Sequence, residues 1–274
     1  MLWRGIEIEP QWVVLAVLVI ALALGRGRQF ITDWFPFLLL FFAYEVMRGF
    51  AAKTGFAPHD VGALELWLFG GNLPTVWLQQ HLYRPAVISP WDWFALVLYF
   101  MHFVLPVVVG FLFWVGSRDH YWRYVAALLV MCFLAFVTYL FFPSTPPWLQ
   151  FPHEVHKVAN ETVSKWGVSY YESPIYGTLG RLDPNLYAAF PSLHAAFPAL
   201  AAVYAWRRYR PLAIFLLVWS VAVWWAIVYL GEHYVVDALC GLIYVAGATL
   251  IVERAAARFS PRPAPAPAPG TQLR

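Results

Sequence analysis

Apolar residues in this chain gather into long runs separated by short polar stretches. Seven such runs stand out, at roughly 11–25, 30–50, 91–115, 121–142, 190–206, 211–231 and 234–253. They approach or exceed the roughly 20 residues that an α-helix needs to cross a bilayer. The pattern therefore predicts an all-α fold, a polytopic bundle of transmembrane helices. The first run is short. Glu7 and Glu9 precede it and Arg26 and Arg28 follow it, the reverse of a secretory leader, so it is read as a span.

Two connections are longer than turns. Residues 51–90 contain "PHDVGALELWLFGGNLPTVWLQQHLYRP", where Trp and Leu alternate with polar residues and with Gly-Gly and Pro breaks. One or two short helices lying in the membrane interface are expected there. Residues 143–189 open with "PSTPPW" and are rich in aromatic residues, which predicts an ordered cap at headgroup level. The terminal "SPRPAPAPAPGTQLR" cannot build a core and reads as an extended, disordered tail over 254–274.

Composition strengthens the membrane reading. Hydrophobic residues make up 61% of the 274, and charged residues 12%, too few to clothe a soluble surface. The net charge of +3 says less than its distribution. Arg26, Arg28, Arg118, Arg123, Arg207, Arg208, Arg210, Arg254, Arg258, Arg262 and Arg274 all fall on one side of the predicted topology, in short loops or the tail. Arginine bias makes that side cytoplasmic and puts the C-terminus there. Both long connections then lie on the extracytoplasmic side. Cys132 and Cys240 sit inside apolar runs and read as packing residues, with no metal-binding spacing around them.

Two polar clusters interrupt the apolar runs. In "YLGEHYVVDALCG", His233 and Asp237 are four apart and share a helix face. The carboxylate can fix the imidazole tautomer and aim its other nitrogen outward. In "AAFPSLHAAFPAL", His194 begins the fifth span, behind Pro191 and Ser192. Proline suits a first helical turn, and the amides near Ser192, Leu193 and His194 would form an anion site at a helix N-terminus. Both histidines begin spans on the same side. Two imidazoles and a carboxylate at one depth suit phosphoryl transfer, one His attacking phosphorus and the other protonating the leaving alkoxide. Glu45 and Arg48 read as a structural ion pair, and His102 as a buried hydrogen-bonding histidine.

At these residues the chain resembles the type-2 phosphatidic acid phosphatase superfamily, and within it the branch of inositol phosphorylceramide synthases and related lipid phosphotransferases. The resemblance rests on "FPSLHAA" (Phe190–Ala196), "HYVVDALCG" (His233–Gly241) and "FPSTPPW" (Phe142–Trp148), and covers the C-terminal half. It implies a six-helix catalytic core over 30–253 with one added N-terminal span over 1–29. It implies metal-independent chemistry through a phosphohistidine, with no cofactor. His233 would be the nucleophile, Asp237 its orienter, His194 the acid, and Ser192 a phosphate ligand. The phosphatase branch carries an Arg six residues before its nucleophilic His; Ile227 stands there in this chain, and the Pro-Pro segment has no Lys or Arg. The phosphate's charge must then be met elsewhere, with Arg181 the first candidate and Arg84, in "LYRP", the second.

The expected activity is transfer of a phosphate-containing headgroup, phosphoinositol being what the resemblance suggests, between membrane lipids as donor and acceptor. A lipid phosphatase with water as acceptor is the near alternative. A metal enzyme using His194, His233 and Asp237 as ligands is a second, and a non-enzymatic transporter or scaffold with Glu45, Arg48 and His102 on a proton path is a third. Nucleic acid is not an expected partner, and the sequence is silent on oligomeric state.

Overall fold

The structure is a computed structural model, and it describes residues 10–51, 53, 55–102, 104–165 and 185–259. Within them the chain forms twelve helices. The first stretch gives α1 (Pro10–Ala23), α2 (Gly27–Ala51), α3 (Val61–Leu68) and α4 (Pro74–Leu82). Next come α5 (Pro90–Phe100), α6 (Val104–Gly116), α7 (Arg118–Phe141), α8 (Pro147–Gln150) and α9 (Val158–Ser164). The last three are α10 (Leu193–Ala205), α11 (Arg210–Tyr229) and α12 (Val235–Phe259). Among the described residues the only extended pairing is a pair of isolated bridges through Ser144.

All seven predicted spans fall on helices, with three departures. Four helices, α2, α7, α11 and α12, are each long and apolar enough to cross a membrane, which makes this a multi-pass membrane protein. The predicted span 91–115 is broken: α5 and α6 pass the same test together but meet at 53°. Pro106 explains the break, because it has no N–H to give the carbonyl of His102 four residues back, and its ring crowds that carbonyl. The first and fifth runs yield only 14 and 13 helical residues, in α1 and α10, about 20 Å each at 1.5 Å per residue, short of the ~30 Å hydrocarbon core. The last helix continues through Phe259, six residues past the predicted boundary at 253. Residues 260–274 of the predicted tail lie outside the described residues.

α10 is the centre of the bundle, packed against α6, α7, α11 and α12. Eleven of its residues are buried, as expected for a helix that is apolar on every side. Its run of alanines lets neighbours approach closely. At the opposite end from the histidines, buried Asp33 of α2 accepts from Trp114 Nε1 at 2.9 Å and from Arg118 Nε and Nη2 at 2.9 and 2.6 Å. That charged fork ties α2 to the α6–α7 turn.

Candidate active site

Three backbone segments frame the site. Ser192 caps α10, its hydroxyl oxygen accepting from the Ala195 amide at 3.3 Å. The Ser192 amide donates to the carbonyl of Asp237 at 3.1 Å. Gly241 lies directly opposite: a Cβ there would fall 2.7 Å from the Ser192 carbonyl oxygen. The two histidine motifs are therefore joined backbone to backbone. The "PSTPPW" segment closes the frame. Ser144 N–H donates to the Tyr187 carbonyl at 2.9 Å, Phe190 N–H donates to Ser144 Oγ at 2.9 Å, and Trp148 N–H donates to the Gly231 carbonyl at 3.1 Å.

Inside this frame His233 is 6% exposed, and Asp237 and Ser192 are 0% exposed. Nδ1 of His233 stands 3.0 Å from the Ala189 carbonyl oxygen and 3.3 Å from Asp237 Oδ2. A carbonyl oxygen only accepts, so Nδ1 carries a proton and the lone pair of the neutral ring sits on Nε2. Asp237 Oδ2 also accepts from the Tyr234 amide at 2.9 Å, which holds the carboxylate beneath the ring. The nearer anchor is thus a backbone carbonyl that residue spacing alone does not reveal.

Nε2 of His233 lies 3.2 Å from Nδ1 of His194. The structure brings together His194, His233, Asp237 and Ser192, as the sequence reading expected. With its own amide engaged by Asp237, however, Ser192 does not offer the free N–H of the expected anion cradle. Its hydroxyl proton is what it can still donate. The His194 ring stacks on Tyr99 at 4.5 Å and on His102 at 3.9 Å between centroids. His102, at the α5–α6 break, stacks in turn on Phe197 at 4.5 Å. His102, read from sequence as a buried hydrogen-bonding histidine, belongs to this cluster. His102 and His194 border a small apolar cavity with Leu98, Met101, Phe197 and Trp219.

The two cation candidates fall differently. Arg84 is exposed in the turn after α4; its neighbours Tyr83 and Pro85 line a second, more polar pocket with Gln79, Glu154 and His156. Arg181 lies outside the described residues. Glu45 and Arg48 form the expected ion pair at 3.2 Å.

The sequence reading missed one carboxylate. Glu65 of α3, fully buried, accepts from the amides of Val235 and Val236 at 3.0 and 3.1 Å. Its two oxygens cap α12 from outside the helix, immediately after His233. Burial pushes the Glu65 carboxyl above its ordinary range, the two amides oppose that rise, and the charge of Asp237 adds to it. A single Glu inside "ALELWLF" was the available signal. Burial likewise raises the carboxyl of Glu232, in the turn beside His233, with Lys157 opposing.

Comparison with known proteins agrees with this geometry. Residues 71–251 match the model of the PAP2 superfamily, and the chain belongs to that family. It is a membrane enzyme of the phosphotransferase and phosphatase class, acting on lipids. The chain is also similar to the phosphoinositol dihydroceramide synthase of Bacteroides thetaiotaomicron, with 26% identity over 253 residues, covering 87% of this chain and 81% of the relative. No solved structure matches significantly.

Proposed function

We propose that this enzyme transfers a phosphate-containing headgroup, phosphoinositol in the first instance, from one lipid to another through a phosphohistidine on His233. The observation that carries the reading is the contact between the two rings, 3.2 Å from His233 Nε2 to His194 Nδ1. It sets the lone pair of a tautomer-locked imidazole beside a second imidazole. In the first step His233 Nε2 attacks phosphorus. The bond from phosphorus to the lipid oxygen breaks, and that oxygen takes a proton from the His194 imidazolium. In the second step the acceptor hydroxyl gives its proton to neutral His194 as its oxygen attacks phosphorus, and the P–N bond breaks. Asp237 steadies the positive charge on the His233 ring, and the Ser192 hydroxyl donates to a phosphoryl oxygen. Arg181 and Arg84 remain the loop cations proposed to meet the phosphate.

The apolar side chains beside His194, among them Leu98, Met101, Phe197 and Trp219, support a lipid alcohol as the leaving group. The relative's name supports a ceramide-type acceptor. The arginine bias supports an extracytoplasmic site and a cytoplasmic C-terminus, and the family likeness supports a catalytic core over 30–253 with an added span over 1–29. No step in this route calls for a metal.

The test uses purified protein in vesicles holding headgroup-labelled phosphatidylinositol with and without ceramide. Label should pass to ceramide, and His233→Ala should abolish this. Release of inorganic phosphate alone, or of inositol phosphate whether or not ceramide is present, would defeat the transferase reading in favour of hydrolysis.

A further inference from the structure

Two short stretches each carry a pair of rings three residues apart: Tyr99 and His102 in "LYFMHFVLP", His194 and Phe197 in "LHAAFP". On a continuous helix such a pair shares one face, one ring above the other. His194 and Phe197 obey that rule, since both lie on α10. The other pair is released from it, because α5 ends at Phe100. In the turn that follows, the His102 N–H donates to the Tyr99 carbonyl at 3.2 Å. Past the helix end, His102 can take a different side of a neighbouring ring from the one Tyr99 takes.

The ring geometry shows that it does. The His194 imidazole lies 4.5 Å from the Tyr99 ring at an interplanar angle of 10°, and 3.9 Å from the His102 ring at 27°. Two rings so close and so nearly parallel to a third would overlap if they shared a face, so they cover opposite faces. The same reasoning sets His102 between His194 and Phe197, the latter 4.5 Å away at 7°. The four rings therefore interleave in one column, in the order Tyr99, His194, His102, Phe197. Phe41 of α2 abuts the far end, 6.3 Å from Phe197. The column leaves the edge of the His194 ring uncovered, and on that edge Nδ1 stands 3.2 Å from His233 Nε2.

We infer that Tyr99 and His102 are positioning residues for the acid, clamping the His194 ring on both faces so that its edge stays aimed at the reacting centre. The assignment rests on the acid role of His194 proposed above. An imidazole stacked on both faces cannot turn over about its Cβ–Cγ bond without displacing its neighbours. It keeps Nδ1 toward His233 through both proton transfers. Such aim matters to rate, since a displacement of about 1 Å can cost on the order of 10²-fold. The break in the span thereby gains a purpose: it lets two rings from one segment straddle a third.

The test measures single-turnover release of the leaving group by the full chain in lipid nanodiscs. One substrate is phosphatidylinositol, whose alkoxide needs a proton; the other is p-nitrophenyl inositol phosphate, whose phenolate does not. His102→Ala and Tyr99→Leu should slow the first roughly tenfold or more and the second far less, with half-saturation little changed. His102→Phe and Tyr99→Phe keep a flat ring and should recover most of the rate. Adding His102→Ala to His194→Ala should cost little further, because the acid it aims is already gone. Equal slowing of both substrates by His102→Ala, or full additivity with His194→Ala, would reduce the column to packing and overturn the assignment. A His102→Phe protein as slow as His102→Ala would overturn it as well, moving the role to the imidazole nitrogens. If His194→Ala alone shows the leaving-group signature, the acid stands and the clamp falls. If His194→Ala slows both substrates alike, the acid reading falls and takes the clamp with it.

Discussion

Glu65→Ala isolates what holds the nucleophile in place. Glu65 touches neither imidazole; it accepts from Val235 and Val236, the first residues of the helix that follows His233. Removing the carboxylate leaves two amides without acceptors, one of them at a buried residue, Val236. Hydrogen bonds to a charged acceptor contribute about 1.5–3 kcal/mol each, so the gross loss is about 3–6 kcal/mol. Burying the charge already offsets part of this, as the raised Glu65 carboxyl shows. A net loss of about 2–3 kcal/mol is expected, or roughly 4–12 °C in melting temperature for a chain of this size. The assay is a thermal melt of the detergent-solubilised protein followed by single-turnover transfer. The α12 start should loosen, the two imidazoles lose registry, and kcat fall about tenfold or more with KM little changed. Glu65→Gln, which keeps one acceptor and sheds the buried charge, should lie nearer the parent in both. A Glu65→Ala protein with parental melting temperature and parental kcat would refute the view that this carboxylate aims His233.

Other outcomes follow from the same geometry. His194→Ala should slow transfer from alkyl phosphodiesters by about 10²–10⁴ and activated aryl esters far less; equal losses on both substrates count against the acid role. Gly241→Ala puts a methyl 2.7 Å from the Ser192 carbonyl, which should destabilise by about 1–3 kcal/mol and depress turnover, seen as a lower melting temperature with reduced kcat. Because burial raises the Glu65 carboxyl, the folded state holds that proton more tightly than the unfolded chain. The resulting stability is full below the ordinary carboxyl range and is lost as pH rises through the raised value. The melting temperature of the parent relative to Glu65→Gln should therefore fall as pH rises through that window.

Much of this architecture is readable from hydropathy. Each apolar run became helix, because lipid leaves a backbone few other ways to satisfy its amides. The pairing of His233 with Asp237 is readable too, since four-residue spacing is a property of one helix. The meeting of His194 with His233 needed the assumption that two spans start at one depth, and the 3.2 Å contact bears that out. What escaped is what depends on tertiary placement. The Ala189 carbonyl that locks the His233 tautomer belongs to the backbone and leaves no trace in residue type. Glu65 sits in a separate connection 170 residues from the amide it caps. The span 91–115 was read as continuous because hydropathy ignores the missing N–H of Pro106, which decides where that run bends.

The direct seam between Ser192 and Gly241 has a consequence for how such an enzyme could diversify. Peptide groups, not variable side chains, set the separation of the two reactive rings. Apolar residues farther along the cavity wall, Leu98, Met101 and Trp219, are free to change without disturbing that spacing. A scaffold of this kind can acquire new lipid partners while its phosphorus chemistry stays fixed.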